Sequence, residues 1–213
     1  MNKRVCSVLF LGKEQDGHVE RAAEFCRLNF ENVSVHLGKW GDPFPANIGV
    51  SDWDCIISYL SRWIVSEDLL KRAGFAINFH PGPPEYPGYG CNNFAIYDEA
   101  TDYGVCCHHM APRVDTGAII ATRRFPVLSN DNAGTLLVRA YDYQLVLFYQ
   151  VVARLVRGEE LPVSREVWTR KPFTRSQFDQ LRRVTADMTQ DEVARRTRAT
   201  NVAALKPPVE GRQ

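Results

Sequence analysis

Three residue types in this sequence could do chemistry together. An amide, Asn78, and an imidazole, His80, stand two residues apart at the end of the apolar run Phe75 to Ile77. A stiff tract with four prolines and three glycines follows, ending at Gly90. A carboxylate, Asp115, sits in the short loop "APRVDTG". An amide N–H can stabilise a developing oxyanion. An imidazole can take a proton near neutral pH and return it. A carboxylate can orient that imidazole, hold its cation or order a water. Brought together, the three are equipment for acyl transfer without a covalent nucleophile. Plainer uses exist for each: an Asn capping backbone groups before a turn, an Asp closing an Asx-turn, a structural His. Spacing alone leaves both readings open.

The surrounding elements decide whether these residues meet. "VCSVLFLG", Val5 to Gly12, reads as a buried strand. Gly17 to Asn29 carries Val19, Ala22, Ala23, Phe25, Cys26 and Leu28 at helical spacing. "VSVHL" and "DCIISYL" are two more strands, separated by the proline loop "DPFPAN". "SEDLLKRAG" predicts a short helix with Ser66 as N-cap and Gly74 as its C-terminal stop. "FAIN" is a fourth strand, Asn92 to Ala100 a helix, and "YGVCCHHM" and "GAIIATRRFPV" two further strands. Ala133 to Arg157 is a long helix, with Leu136, Leu137, Ala140, Tyr143, Leu147, Val151 and Leu155 as its core-facing stripe. Strands alternating with helices imply a three-layer α/β core with a mainly parallel sheet. Ligands of such sheets collect at the carboxyl ends of strands, where Asn78 and His80 fall. The core is expected over residues 1–157, with a small C-terminal appendage over 158–213 where the sequence turns rich in Arg and Thr.

Composition excludes several classes. A net charge of +1 carries no nucleic-acid footprint. No apolar stretch reaches a membrane span. The basic start is followed by an apolar run that ends at Leu11 without a small-residue cleavage site, so it reads as a strand and not a signal peptide. The six cysteines form no compact disulfide framework, which suits a reduced, cytoplasmic chain. Neither G-x-G-x-x-G nor G-x-x-x-x-G-K-[ST] occurs, so a dinucleotide or P-loop enzyme is unsupported. "CCHH", Cys106 to His109, suggests zinc, but neighbours on a strand alternate sides and cannot all reach one ion, so no metal is expected. "TRRF" and "WTRKPFTR" are either solvated surface or a diphosphate and base site, with Trp168 or Phe173 stacking a pyrimidine.

The Asn-Phe-His-Pro stretch, the Pro-x-Tyr-x-Gly loop and "VDTGAII" resemble the signature of the 10-formyltetrahydrofolate-dependent formyltransferases, over Val5 to about Val127. The resemblance implies a Rossmann-like formyltransferase core and catalytic roles for Asn78, His80 and Asp115. It implies N10-formyltetrahydrofolate as co-substrate and no metal. The pterin is then expected at Arg62, Trp63 and Ile64 of "SYLSRWIV", with Val114 on the opposite side. A neutral amine would attack the formyl carbon. Asn78 and protonated His80 would stabilise the oxyanion, and Asp115 would hold His80 and help carry the amine proton. Asp115 pushes the His80 pKa up and burial pushes it down, so its sign is not decidable at this level.

Within that family, "NNFAIYDEATDYGV", "WTRKPFTR" and "RRTRAT" are most similar to the nucleotide-sugar N-formyltransferases. That implies an acceptor such as dTDP-4-amino-4,6-dideoxyglucose, a place in cell-surface glycan synthesis and a homodimer in the cytoplasm. Substrate contacts are then expected at Tyr89, Asn92, Asn93, Trp168, Arg170 and Lys171. A glycinamide ribonucleotide formyltransferase, or an inactive folate- or nucleotide-binding protein, is the alternative. A methionyl-tRNA enzyme fits less well, because the chain is short for its RNA-binding domain and is not basic. Such proteins usually continue after "RAT" through an aromatic, Pro/Gly-rich run; here "NVAAL" follows, so the tail is expected to be truncated or altered.

Overall fold

The computed structural model describes residues 5–46, 48 and 52–201. The expectation about the tail falls mainly on 202–213, outside the described residues. Six strands form one sheet: β1 (Ser7–Lys13), β2 (Asn32–Gly38), β3 (Trp53–Tyr59), β4 (Ala73–His80), β5 (Asp102–His109) and β6 (Ile119–Pro126). Their order is β2-β1-β3-β4-β5-β6. The first four run parallel; β5 is antiparallel to β4, and β6 to β5. The expected α/β layering is present, with a mixed sheet whose antiparallel part lies on the β4 side.

Alternation along the strands builds two cores. Val8, Phe10, Ile57, Tyr59, Ile77 and Phe79 face the helices α1 (Gly17–Asn29) and α4 (Ala133–Val156). Leu9, Leu11, Ile56 and Ala76 face the other way, toward Leu69 of α2 (Glu67–Lys71). Helix α1 starts where Asp16 accepts from the amides of His18 and Val19, and α4 starts on a capping box made by Asn132 and Thr135. The buried stripe of α4 also includes Gln144 and Phe148, which its apolar spacing did not single out, while Leu137 and Tyr143 are only half-buried. Phe148 packs against Phe10, Phe25, Tyr59 and Phe79. Gln144 is tolerated there because its amide Nε2 donates to the Phe79 carbonyl at 2.6 Å.

Gly74 does not stop α2. The helix closes at Lys71 with Arg72 as its cap, and Gly74 is already in β4. A Cβ there would lie 2.7 Å from the Asp54 carbonyl oxygen on β3, so the glycine serves a close approach of strands. Because α2 has only five residues, it leaves the carboxyl end of β4 uncovered on its face. Beyond α4 the chain returns to that region. Phe173 lies flat on Phe94, with ring centroids 3.7 Å apart, in front of α5 (Arg175–Leu181). Helix α6 (Gln190–Thr200) docks on α3 (Cys91–Tyr97). Among the described residues no helix is long and apolar enough to cross a membrane, and no disulfide joins the cysteines.

Candidate active site

Strand β4 puts Asn78 and His80 on one face, the one α2 leaves open, since residues two apart share a side. The β4–β5 register sets Asn78 opposite His108 and His80 opposite Cys106. The Asn78 Nδ2 lies 3.0 Å from His108 Nε2, and His108 Nδ1 donates to the His109 carbonyl at 2.8 Å. That ring thus turns its Nε2 toward the Asn78 amide. The amide keeps a second N–H, and Asn78 is only half-buried, so one donor remains for a ligand.

Asp115 arrives from the loop between β5 and β6. Its backbone is left-handed, at φ 49°, a conformation Asp accepts more readily than most residues. The carboxylate is tied on three sides. Gly88 N–H donates to Oδ2 at 2.8 Å, His80 Nδ1 lies 3.3 Å from Oδ2, and His108 Nε2 lies 3.3 Å from Oδ1. The other nitrogen of His80 donates to the Tyr86 carbonyl at 2.9 Å. Both partners of His80 are acceptors, so the doubly protonated ring satisfies both. Burial works to lower the His80 pKa, but the Asp115 charge, the Cys91 thiol and the Tyr86 carbonyl outweigh it and lift it to about 9. Burial works to raise the Asp115 pKa, but the His80 charge, His108 and the Gly88 amide hold it at about 2. His80, Asp115 and His108 are all buried. The pair is thus an imidazolium and a carboxylate at neutral pH.

The Pro/Gly tract serves this pair directly. Gly88 has φ +87°, and a Cβ on it would lie 2.5 Å from the Phe173 carbonyl oxygen, so only glycine brings that amide to Asp115. Neither the Tyr86 carbonyl nor the Gly88 amide carries a side-chain signal; the loop's stiffness was their only trace in the sequence. Trp168 stands edge-on to both imidazoles, with centroids 6.0 Å from His80 and 5.0 Å from His108, and its Nε1 donates to the Gly117 carbonyl at 2.7 Å. A groove of about 1030 Å³ runs between residues 113–119 and 163–172, with Asp115 and Trp168 in its wall.

The remaining expected site residues divide. Ile64 and Val114 are exposed apolar side chains, 73% and 49% accessible. Trp63 packs against the core on the α2 face of the sheet, its Nε1 donating to the Asp42 carbonyl at 3.1 Å, which makes it a brace for the loop after β2. The Arg62 guanidinium lies over the ring of Trp40 at 5.4 Å. Tyr89 sits between Trp40 and Phe178, with centroids 6.2 Å and 5.2 Å away. Asn92 and Asn93 are buried, and their amides donate to Ala133 and Ala199 carbonyls at 2.8 Å and 2.7 Å. Both thus hold α3 to its neighbouring helices. Arg170 lies 3.8 Å over the Phe173 ring, and Lys171 lines the groove beside it. Phe173, considered above for stacking a pyrimidine, is buried between Phe94 and Arg170 and has no face to offer. Cys106, Cys107 and His108 are buried, and no group of three or more potential metal ligands occurs among the described residues.

Residues 51–152, which include Asn78, His80 and Asp115, match the family model described as formyl transferase. This region is similar to the formyl transferase family. The methionyl-tRNA formyltransferase of Levilactobacillus brevis is 29% identical over 115 residues, 53% of this chain and 37% of that protein. The chain thus spans little more than a third of the curated relatives it matches. Among solved structures, a sugar N-formyltransferase from Shewanella sp FDAARGOS_354 superposes with a TM-score of 0.72 at 19% identity, covering 91% of this chain and 87% of that one. An N-formyltransferase from Helicobacter canadensis, in complex with folinic acid and dTDP-3-aminofucose, gives 0.71 at 18% identity, covering 91% and 80%. At such identities the likeness is one of fold. The formyl transferase fold accounts for the mixed sheet and for the position of the polar cluster at its carboxyl edge.

Proposed function

We propose that this protein transfers a formyl group from N10-formyltetrahydrofolate to the amine of a nucleotide-linked amino sugar. The observation that carries the reading is the convergence of Asn78, His80 and Asp115, from a strand and a distant loop, with a charged and buried histidine at the centre. The donor set suits the group: a neutral amide N–H and a fixed positive charge match an oxygen that becomes negative. When bound, the folate supplies the activated formyl carbon, and Ile64 and Val114 are the exposed apolar residues that would hold it.

Each residue of the cluster then has one task. The free N–H of Asn78 donates to the oxygen that gains charge. His80 provides its cation close behind, with both N–H groups already satisfied by Asp115 and Tyr86. Asp115 keeps that cation in place. With its pKa at about 2 and both oxygens engaged, it is a poor base for the amine proton. Its work here is electrostatic, and the proton that the amine loses passes through water to the departing N10 of tetrahydrofolate.

The nucleotide-sugar acceptor is preferred because two of the similar solved structures are described with dTDP-linked sugar or dTDP and a folate. The test is a formylation assay of the purified chain with 10-formyltetrahydrofolate and a panel of dTDP-, UDP- and GDP-linked amino sugars, beside glycinamide ribonucleotide and methionyl-tRNA. Turnover with an amino sugar alone supports the reading. Turnover confined to either of the last two transfers the function to that acceptor.

A further inference from the structure

In the order β2-β1-β3-β4, strands β1 and β3 lie between β2 and β4. Trp40 follows the carboxyl end of β2, and Tyr89 lies in the loop after β4. Their ring centroids are nevertheless 6.2 Å apart. Adjacent strands are about 4.8 Å apart, so the parent strands are separated by roughly 14 Å. The two rings therefore meet over the carboxyl ends of β1 and β3. This is the point where the winding of the chain reverses, with β2 placed on one side of β1 and β3 on the other. Open α/β sheets bind their ligands at that crevice.

The ring pair is not a closed stack. Its planes are inclined by 58°, and Trp40 remains 60% accessible although Tyr89 and Arg62 both touch it. Arg62, just past the end of β3, makes no ion pair with another described residue. Lys13, the last residue of β1, reaches over the Tyr141 ring at 4.7 Å, and the Arg62 charge acts on the same tyrosine. Lys13 is paired with Asp16 at 2.6 Å and Lys39 lies 4.0 Å from Glu14, so among the described residues Arg62 is a cation without an ion pair at this end of the crevice. An exposed π-face beside a cation suits a planar ring that carries an anionic group. Tyr89 is also the neighbour of Gly88, whose amide holds Asp115, so the ledge is joined to the catalytic loop by one residue.

We propose that Trp40 and Tyr89 form a platform for the nucleobase of a nucleoside diphosphate, with Arg62 at its diphosphate. This rests on the reading of a nucleotide-linked acceptor and names the residues that recognise its nucleotide. The base stacks on Trp40, the diphosphate lies against Arg62 above the ends of β1 and β3, and the remainder of the molecule is led past Tyr89 toward His80. Trp40 and Phe178 take no part in the sequence signature of the site; an exposed tryptophan two residues after a strand-ending glycine was the only clue.

The test is calorimetric binding of dTDP, inorganic pyrophosphate and 5-formyltetrahydrofolate to wild type, Trp40→Ala, Trp40→Phe and Arg62→Gln, each checked for its fold by circular dichroism. Trp40→Ala is expected to weaken dTDP about tenfold, the scale of one base–aromatic stack. It should leave pyrophosphate and 5-formyltetrahydrofolate within about twofold, and Trp40→Phe should restore most of the dTDP affinity. Arg62→Gln should weaken dTDP and pyrophosphate together. Unchanged dTDP binding in Trp40→Ala overturns the platform and leaves the proposed acceptor standing. A loss of 5-formyltetrahydrofolate binding instead gives the ledge to the folate and also overturns it. If wild type binds none of dTDP, UDP and GDP, the acceptor reading and the platform fall together.

Discussion

His80 Nδ1 lies 3.3 Å from Asp115 Oδ2, with the two side chains 6% and 4% exposed. A charge pair this well removed from water is strong only because its other valences are met: Tyr86 on the histidine, Gly88 and His108 on the carboxylate. The whole cluster stands or falls as a unit.

The first consequence is a pH window. The folded pKa of His80 is raised from 6.5 to about 9, so its stabilisation is complete below pH 6.5 and is lost as pH rises through about 9. The folded pKa of Asp115 is depressed from 3.8 to about 2, so its stabilisation is complete above pH 3.8 and is lost as pH falls through about 2. The pair therefore contributes fully between about pH 4 and 6.5. Urea midpoints across pH 4 to 10 should decline on the alkaline side in wild type and less so in His80→Asn. The formylation rate should likewise fall as pH rises through 9, when the cation is lost. An alkaline limb of equal size in His80→Asn would remove His80 as its source.

Charge placement gives the second. Asp115→Asn is nearly isosteric and keeps an oxygen for the Gly88 amide, but it removes the partner of the His80 cation. Asn78→Asp places a negative charge where an oxyanion must grow. Both variants, and His80→Asn, should turn over at least ~100-fold more slowly while binding 5-formyltetrahydrofolate about as well as wild type. Single-turnover kinetics and calorimetry on the same preparations separate the two effects. If Asp115→Asn loses folate binding in step with its rate, the carboxylate is a loop anchor or a pterin contact.

Gly88 offers a third. At φ +87° with the Phe173 carbonyl 2.5 Å from the position of a Cβ, Gly88→Ala should cost about 2–3 kcal/mol in denaturant unfolding. It should also shift the acid stability limb toward higher pH, because Asp115 loses the amide donor that helps hold its pKa down. A stability loss with an unmoved limb would separate the loop's fold from the carboxylate's charge.

The Phe94–Phe173 stack is the fourth. Both rings are buried, at 8% and 7% exposure, and lie parallel with centroids 3.7 Å apart. Phe173→Ala should destabilise by about 3–5 kcal/mol, and Phe173→Leu by clearly less. Because Phe173 anchors the segment that carries Trp168, the alanine variant should also lower the formylation rate of the folded fraction. Equilibrium unfolding beside activity below the transition checks both. An unchanged rate per folded molecule would show that Trp168 is held without Phe173.

By itself the sequence determined what short-range rules reach. Period-2 alternation in β4 put Asn78 and His80 on one face, the apolar spacing from Gly17 bounded α1, Ser66 capped α2, and the Pro/Gly tract announced a rigid loop. The resemblance of three motifs then tied Asp115 to that face. Tertiary structure decided what depends on which strands become neighbours. The antiparallel return of β5 and β6 brings His108 and Asp115, 28 and 35 residues downstream of His80, to that imidazole. It decided the sign of the His80 shift, because burial and an opposing charge compete and only distances weigh them. It turned the Asn92 and Asn93 amides into helix-to-helix ties, and it placed Trp40 against Tyr89 across two intervening strands. Backbone propensities and side-chain periods act over a turn or a pleat. The closing of long loops around a sheet is fixed by the packing of the whole chain.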